Sequence, residues 1–350
     1  MDALRKKYDN FMAPSFRIKV EGADVAKECQ VHITNLKVTT SLDAAGSLSF
    51  DVLNGYDLEG RCFKESVKSS FMIGLLITAE VGYAQGMLPV FQGYIYSVNM
   101  QFSDTPVYSV TCMDVIRLLQ ESDVAKKTYE MKSPAIIVKE IMDSYKGICP
   151  AKNVTIEGAD IKENVITQSE SDYSFITNIL CPMAGNDFYV AGGKVMFVPV
   201  NKRQESVLTL EWGKDLLSFN FNRNYLHKSL RIVKANKEKS IEMLEGILVV
   251  KGDYQLEVLS KPLAKNIKHD AFGDQAGIDR QLKKAASDEL RNSCRASGTC
   301  IGIPQIVPGK GITVKKLDEQ IDGTYEIIKV DHSIGDDGFN TSFELGGKVE

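Results

Sequence analysis

Two pairs of acidic residues are the first candidates for chemistry in this sequence. Glu170 with Asp172, and Glu205 with Glu211, have the residue types that glycoside hydrolysis uses, one carboxyl as acid and the other as base or nucleophile. Pairs of this kind arise by chance in a chain with 46 acidic residues, which favours a surface role for them. His332, in the strand-like segment VDHSI, is predicted to pack or to form hydrogen bonds rather than act as a base.

Motifs for nucleotides, metals and covalent catalysis are incomplete. A phosphate-binding loop reads GxxxxGK followed by Ser or Thr, but Phe188 and Val195 occupy two of the required positions around Gly193-Lys194. None of the four histidines lies in an HExxH motif, the seven cysteines contain no CxxC pair, and no GxSxG serine elbow occurs. We therefore expect no cofactor, no metal and no catalytic residue, and we predict that the chain is not an enzyme.

Composition limits the partners and the compartment. The chain has 350 residues, 43% of them hydrophobic and 25% charged, which suits a folded protein of two or three domains. A net charge of -4 with dispersed Lys and Arg argues against specific nucleic-acid recognition. The apolar run Phe71–Ala79 reaches half of the ~20 residues that a membrane-spanning helix needs. The basic N-terminus lacks the apolar stretch of a signal peptide, so we expect synthesis in the cytoplasm, with thiols that are reduced and mostly buried.

Alternating apolar and polar residues indicate that residues 15–117, after an N-terminal tail at 1–14, form mostly antiparallel sheet. Phe91–Phe102 and Val107–Cys112 flank an Asp-Thr-Pro turn and predict a hairpin. Asp114 follows directly and is placed to cap a short helix.

Residues 118–204 predict a small α+β domain. One helix begins at Ser133, ahead of Pro134, and should end where Gly147 adopts a left-handed conformation. A second helix, residues 171–184, should kink or end early at Pro182. Two strands joined through Gly192-Gly193 complete the domain, and these are Phe188–Val190 and Lys194–Pro199.

Strand patterns return in residues 205–350, interrupted by one amphipathic helix near 279–291. Trp212 falls in what the alternation predicts to be a packed strand. Turns at Asp322-Gly323 and through Asp336-Asp337-Gly338 indicate two successive hairpins. The stretch from Gly323 to Leu345 is similar in layout to that from Gly93 to Cys112, which suggests an internal duplication without establishing it.

Motifs spread over most of the chain carry a resemblance to a known family. They are PSFRIKVEG (14–22), VGYAQGMLPVFQGYIYSV (81–98), VTCMDVIRLL (110–119), SESDYSFITNIL (169–180), FYVAGGKVMFVP (188–199), GIPQIVPGKGITV (302–314), DGTYEIIKVDHSI (322–334) and GFNTSFELGGK (338–348). In this order they resemble the late control gene D protein family of contractile-tailed phages, the baseplate hub. That family is similar to the hub portion of type VI secretion valine-glycine-repeat proteins and to the hubs of extracellular contractile injection systems.

The residues at the family's motif positions carry a structural role by this resemblance. They are Gly82, Tyr83, Gly93, Asp114, Gly302, Pro304, Pro308, Gly309, Gly323, Tyr325, His332 and Thr341. Pro182 and the high cysteine count depart from the family pattern, and we expect a local rearrangement of the middle domain.

The resemblance implies an α+β, β-rich fold in which two tube-like antiparallel β-barrel domains flank the small α+β domain. It implies a homotrimer that joins the hexameric tail tube protein to a trimeric spike in the baseplate of a virion or injection particle. Because the chain stops at Glu350, the spike is expected to be a separate protein. Baseplate wedge proteins and the tape measure protein are further expected partners.

Two alternatives to the hub remain open from the sequence. A tail-associated peptidoglycan hydrolase would use Glu170 or Asp172. A carbohydrate-binding tip protein would need exposed aromatic residues, and Trp212 is the only tryptophan in the chain.

Overall fold

One sheet of 13 strands, mostly antiparallel, runs through both the N-terminal and the C-terminal parts of the chain. The computed structural model describes residues 1–28, 31–123, 126–158, 163–200, 206–224, 229–235, 243–249, 264–267 and 275–349. Four smaller sheets of two or three strands accompany the large one within these ranges. The protein is therefore β-rich, in agreement with the α+β class predicted from the sequence.

The N-terminal part, residues 1–120, contributes most of one half of the large sheet. Its elements are α1 (Asp2–Lys7), β1 (Pro14–Val20), β2 (Ala23–Asp24), α2 (Val25–Glu28), β3 (His32–Ser41), β4 (Ser47–Leu53), β5 (Tyr56–Asp57), β6 (Cys62–Phe63), α3 (Glu65–Ser70), β7 (Leu76–Tyr83), β8 (Gly86–Gln101), β9 (Val107–Met113) and α4 (Val115–Gln120), with a 3₁₀ turn at Asp9–Phe11. The strands pair in the order β3-β4-β9-β8-β7-β1. Alternate residues of β4 and β9 are buried in one apolar core, as period-two patterning requires. The hairpin predicted around Asp104 is confirmed as β8 and β9.

Strand β8 is long and changes partner half-way. Its first half pairs with β7 and its second half with β9. The change occurs at Gly93, where a Cβ atom would lie 2.1 Å from the carbonyl oxygen of Met113. Only glycine permits so close an approach of two backbones at this corner.

The predicted cap at Asp114 is confirmed. Its carboxylate accepts the N–H of Ile116 at 2.9 Å, and its second oxygen accepts the N–H of Gly46 at 2.8 Å. Because the side chain is buried, desolvation raises its pKa to about 7 against the opposing effect of these bonds. Asp114 therefore fixes the start of α4 to the loop between β3 and β4.

The middle part, residues 126–200, combines short helices with two small sheets. Its elements are β10 (Lys127–Lys132), α5 (Pro134–Ser144), β11 (Val154–Ile156), β12 (Glu163–Gln168), α6 (Asp172–Phe175), a π-helical turn at Ile176–Leu180, α7 (Cys181–Ala184), β13 (Asn186–Ala191) and β14 (Lys194–Pro199), with a 3₁₀ turn at Ala151–Asn153. The predicted ribbon is confirmed as β13 and β14, and both glycines of its turn have positive φ. A separate apolar core lies between these elements.

One expectation for the helices of the middle part is wrong. Helix α5 ends at Ser144, and Gly147 is not among the glycines with positive φ. The backbone turns at Tyr145 instead, whose carbonyl oxygen accepts the N–H groups of Ile148 at 3.0 Å and Cys149 at 2.9 Å. The second helical segment continues to Ala184 and does not end early at Pro182. A π-helical turn, Ile176–Leu180, interrupts the α-helix directly before the proline, which lies in the first turn of α7. Gly185, with φ of 71°, terminates α7.

The C-terminal part, residues 206–349, repeats the strand order of the N-terminal part. Its elements are β15 (Ser206–Glu211), β16 (Leu216–Arg223), β17 (Ser229–Ala235), β18 (Met243–Val249), β19 (Ala264–Asn266), α8 (Gln275–Ser293), β20 (Cys294–Ile301), β21 (Gly311–Lys315), β22 (Gly323–Gly335) and β23 (Gly338–Val349). The pairing order β16-β20-β23-β22-β21-β15 matches β3-β4-β9-β8-β7-β1 position by position. One difference is that β15 runs parallel to β21, whereas β1 runs antiparallel to β7. Both predicted hairpins, β21–β22 and β22–β23, are confirmed.

Two features of the C-terminal part differ from the sequence-based expectations. Trp212 is not in a packed strand, because it follows the last residue of β15 and is 47% exposed. Helix α8 is longer than residues 279–291, and its apolar side packs against the small sheet β18-β17-β19. Glu205 and many residues before α8 lie outside the described residues.

Antiparallel pairing between β22 and β3 joins the two halves of the large sheet. Val330 lies opposite Thr40, and His332 lies opposite Val38. The Thr39 hydroxyl donates to the Asp331 carboxylate across this boundary. We call the β22–β3 pairing the seam.

A largely buried cluster of charges connects α8 to the rest of the molecule. The Arg291 guanidinium contacts Asp187 of β13 at 2.7 Å and Glu326 of β22 at 2.7 Å. Lys284 contacts Asp187 at 2.9 Å. Burial alone would raise the pKa of Asp187, but the two cations lower it below its usual value. The cluster therefore holds three parts of the chain together by paired charges.

Replacing Arg291 with Met should destabilise the protein strongly. The variant leaves the Asp187 and Glu326 carboxylates without their shared cation, and breaking a buried pair of this kind costs about 3–5 kcal/mol. The measurement is the free energy of unfolding in urea. The matched control is Lys329→Met, which removes an exposed pair with Glu344 and should cost less than about 1 kcal/mol. Equal losses in the two variants would contradict this account of the cluster.

Candidate functional site

The loop between β20 and β21, residues 302–310, is where the predicted motif positions come together. We call it the junction loop. Gly302, Pro304, Pro308 and Gly309 lie within it. Its backbone is held to the neighbouring hairpin, since the Gly302 N–H donates to the Phe339 carbonyl at 2.8 Å and the Gly309 N–H to the Ile327 carbonyl at 2.9 Å.

His332 and Thr341 hold the middle of the junction loop through a chain of hydrogen bonds. His332 Nε2 lies 3.1 Å from the carbonyl oxygen of Ile306, a contact that requires a proton on Nε2. Its Nδ1 then accepts the Thr341 hydroxyl proton at 2.9 Å, and that hydroxyl accepts the Ile303 N–H at 3.0 Å. Burial lowers the pKa of His332 to about 4, so the imidazole is neutral at neutral pH. The prediction that His332 packs and forms hydrogen bonds is thus what the geometry shows.

Aromatic rings from two other parts of the chain lie against the glycines of the junction loop. A Cβ atom at Gly302 would lie 2.0 Å from the ring of Phe339, and the Tyr83 hydroxyl donates to the Gly302 carbonyl at 2.7 Å. Gly309 has φ of 79°, and a Cβ there would lie 2.3 Å from the Tyr189 hydroxyl. The N-terminal part, through Tyr83, and the middle part, through Tyr189, therefore meet on this loop.

The remaining motif positions lie at separate corners and turns. Gly82 pairs with Met87 beside the β7–β8 turn. Gly323 pairs with Val314 at the turn of the β21–β22 hairpin, and the buried Tyr325 hydroxyl donates to the Ile321 carbonyl. Gly93 and Asp114 lie at the corner of β8 and at the start of α4, as described above. The structure thus brings six motif residues to the junction loop, places Tyr83 in contact with it and leaves the others apart.

The sequence did not indicate two N-terminal residues, Tyr8 and Arg5, that contact the C-terminal part of the chain. Tyr8 is fully buried, although residues 1–14 carried no strong pattern, and its hydroxyl accepts a hydrogen bond from Gln305 Nε2 at 2.6 Å. Tyr8 packs on Tyr83 with ring centroids 5.0 Å apart. Arg5 contacts the buried Asp215 at 2.6 Å. The sequence hint for this contact is limited to Tyr8 and Phe11, which are spaced three apart after a short charged segment.

The acidic pairs considered for glycoside hydrolysis lie in hydrogen-bonded positions. Asp172 accepts from the Tyr145 hydroxyl at 2.7 Å and from Gln168 Nε2 at 2.6 Å, at the start of α6. Glu170 accepts from Asn178 Nδ2 at 3.1 Å. Glu211 forms an exposed ion pair with Lys316 at 2.7 Å, and its proposed partner Glu205 lies outside the described residues.

Two cavities flank the junction and the charge cluster. The first, of about 320 Å³, lies between the junction loop and the β13–β14 ribbon and is lined mainly by apolar side chains, among them Leu88, Pro89, Tyr189, Met196, Pro304 and Pro308. The second, of about 370 Å³, opens beside Lys284 and Arg291. Within the described ranges, no three His, Cys, Asp or Glu side chains converge as a metal site would require. Of the helices that the structure describes, none is long and apolar enough to cross a membrane.

The cysteines are largely enclosed. Cys112, Cys149, Cys181, Cys294 and Cys300 are buried and Cys62 is exposed, while Cys29 lies outside the described residues. Burial raises the pKa of the Cys149 thiol to about 11, which suppresses thiolate formation.

Replacing His332 with Gln should destabilise the protein most at neutral pH. The ordinary pKa of a histidine is 6.5, and the pKa of His332 in the folded protein is about 4. Between these two pH values the unfolded chain binds a proton at this residue and the folded protein does not. The neutral imidazole therefore contributes its full share to the free energy of unfolding above pH 6.5, and about 3 kcal/mol of this contribution is lost as the pH falls to 4. The variant lacks this loss, so the difference in free energy of unfolding from wild type should shrink on acidification.

The measurement is urea unfolding of both proteins at pH 7.5, 6 and 4.5. The exposed His32 provides the control variant His32→Gln, for which we expect little change at any of these pH values. A wild-type-to-His332→Gln difference that is independent of pH would contradict a neutral, buried His332.

Comparison with solved structures identifies the fold. The tail protein from Neisseria meningitidis superposes with a TM-score of 0.68 at 14% identity, over 95% of this chain and 96% of that one. The 43 kDa tail protein of prophage MuSo2 from Shewanella oneidensis gives a TM-score of 0.68 at 13% identity, over 95% and 98% of the two chains. An Escherichia coli component of the type VI secretion system, itself described as similar to T4 bacteriophage tail proteins, gives 0.61 at 13% identity over 95% and 77%. The chain thus shares its fold with phage tail and type VI secretion proteins.

Sequence comparison places the chain in one family. No curated protein sequence matches it. The sequence model of the family described as the Alg8 N-terminal domain matches residues 11–336, which is most of the chain. The protein therefore belongs to the Alg8 N-terminal domain family.

Proposed function

We propose that this protein is a structural baseplate hub of a contractile phage tail or of a related contractile injection particle. Three copies form an adaptor between a six-fold tail tube and a three-fold spike. The observation that carries the proposal is the repeated strand order, because three copies of a chain with two similar β units present six such units in a ring. The motif resemblance to late control gene D proteins and the fold shared with tail proteins support it.

The proposal includes the closure of each β unit into a tube-like barrel. In the C-terminal unit, β15 and β16 follow one another with a four-residue bend, and they pair with opposite ends of the strand series. A chain segment that bends in this way brings the two ends of the series close together. Alternating buried and exposed residues supply a packed side and a polar side to each strand.

A hub of this kind needs rigidity rather than turnover, and we propose that the chain acts without catalysis. The neutral His332 and the paired charges around Arg291 fit this role, since both hold elements of distant sequence in place. The tail tube protein, the spike, baseplate wedge proteins and the tape measure protein are the proposed partners. Assembly of the particle follows synthesis in the bacterial cytoplasm.

The purified protein should form a stable trimer in solution. Light scattering coupled to size exclusion, from micromolar to hundreds of micromolar, should give three times the chain mass of 38.8 kDa. Heterologous contacts between copies close into a ring, so larger open assemblies should be minor. A single chain mass over the whole concentration range would contradict the proposed adaptor, as would a stable dimer.

A further inference from the structure

All three parts of the chain line the cavity beside the junction loop, which we call the junction cavity. Its walls come from β8, from the β13–β14 ribbon and from the junction loop, through Leu88, Pro89, Tyr189, Met196, Pro304 and Pro308. The volume of about 320 Å³ is about twice that of a cavity that admits benzene. Ligand pockets lie preferentially at boundaries between domains, and this one has room for one or two apolar side chains.

The walls of the junction cavity are fixed before anything binds. The buried Tyr189 lies against Gly309, where its hydroxyl leaves no space for a Cβ atom. Pro304 and Pro308 restrict the backbone of the junction loop. Hydrogen bonds from Gly302 and Gly309 to the β22–β23 hairpin hold both ends of that loop. A preformed cavity of this kind loses little conformational entropy when an occupant enters.

Two lysines give the junction cavity a local positive charge. Lys194, which is exposed, and Lys310, which is half-buried, both line it. Neither forms an ion pair with a carboxylate of the described residues, and no acidic side chain is among the described residues that line the cavity. Lys284, Lys316 and Lys329, by contrast, each contact a carboxylate. In a chain with a net charge of -4, this cavity therefore favours an anionic occupant.

One enclosed oxygen beside the cavity lacks a hydrogen-bond donor. Gln305 lines the cavity, and its Nε2 donates to the Tyr8 hydroxyl at 2.6 Å. Its Oε1 is enclosed and has no hydrogen-bond partner in the part of the chain that the structure describes. An enclosed acceptor without a donor is unfavourable, and a donor that enters the cavity would bond it after a small shift of the side chain. A polypeptide brings N–H donors together with carboxylates, whereas a fatty acid brings only the carboxylate.

We propose that the junction cavity binds a segment of a partner polypeptide in which an apolar residue lies next to Asp or Glu. The apolar side chain contacts Tyr189 and Met196. The carboxylate pairs with Lys194 or Lys310, and a backbone N–H of the segment donates to Gln305. The site lies within one chain and does not require three copies, so it goes beyond the proposed hub and is independent of it.

Selection from a random peptide library tests the chemistry of the occupant. Octapeptides displayed on phage are selected on the purified protein, and each round removes those that also bind the variant Lys194→Glu/Lys310→Glu. We expect the enriched sequences to place an apolar residue next to Asp or Glu. No enrichment over the variant, or enriched sequences without acidic residues, would overturn the proposal.

Affinity measurements on the most enriched peptide test the contribution of the lysines. The peptide carries a fluorescein label, and its fluorescence anisotropy reports binding. Lys194→Glu/Lys310→Glu should weaken binding at least tenfold, and added salt should weaken binding to the wild type. The matched control is Lys64→Glu/Lys139→Glu, which makes the same change of charge at two exposed lysines outside the cavity and should alter the affinity less than twofold.

A cavity-filling variant tests the apolar part of the site without changing charge. Ala191 lines the cavity and is half-buried, so Ala191→Phe places a ring where the occupant's side chain would lie. Binding should weaken at least tenfold, while far-ultraviolet circular dichroism stays that of the wild type. Unchanged affinity in this folded variant would show that the peptide binds elsewhere and would overturn the proposal.

The outcomes separate the site from the proposed function and from a small ligand. Decanoate that binds the wild type but not Ala191→Phe, with no peptide enriched, would overturn the polypeptide occupant. A trimer that binds no peptide overturns the site and leaves the hub in place. A monomer that binds the peptide through Lys194 and Lys310 supports the site and contradicts the hub.

Discussion

The structure depends on the antiparallel pairing of β22 with β3. This seam converts two sets of strands with the same pairing order into one sheet, and it covers the edge that each set would otherwise expose. Among the described residues, one side of β16 and one side of the second half of β8 pair with no strand.

His332 connects the seam to the junction loop. On β22 it lies opposite Val38 in the seam, and its two ring nitrogens contact Thr341 and the Ile306 carbonyl. The junction loop in turn receives Tyr83 from the N-terminal part and Tyr189 from the middle part. One neutral, buried imidazole therefore lies where all three parts of the chain meet, and its two hydrogen bonds account for a histidine in an apolar strand.

The local features of this fold could be predicted from the sequence, and the long-range ones could not. Hairpin turns at Asp322-Gly323 and the cap at Asp114 depend on a few neighbouring residues, whose backbone preferences decide the outcome. The end of α5 was misplaced because the turn that follows it closes on the backbone carbonyl of Tyr145, without a left-handed conformation at Gly147. Trp212 was misplaced because alternation continues past the point where β15 ends.

In the candidate site, too, the sequence indicated individual residues but not the long-range contacts between them. Motif resemblance indicated Gly302, Gly309, His332 and Thr341, but their convergence depends on pairings between β20, β22 and β23 that no local pattern contains. Tyr8 escaped notice because its burial depends on a ring contact with Tyr83. The seam itself joins residues almost three hundred positions apart, so only the folded structure indicates it.

The central claim is that chains with two similar β units close into a ring of six units. Electron microscopy of the purified protein, with averaging of single particles and no symmetry imposed, tests it most directly. The account predicts a ring of six similar lobes around a central channel, with three-fold symmetry. Compact single chains, or open curved strings of lobes without closure, would contradict it.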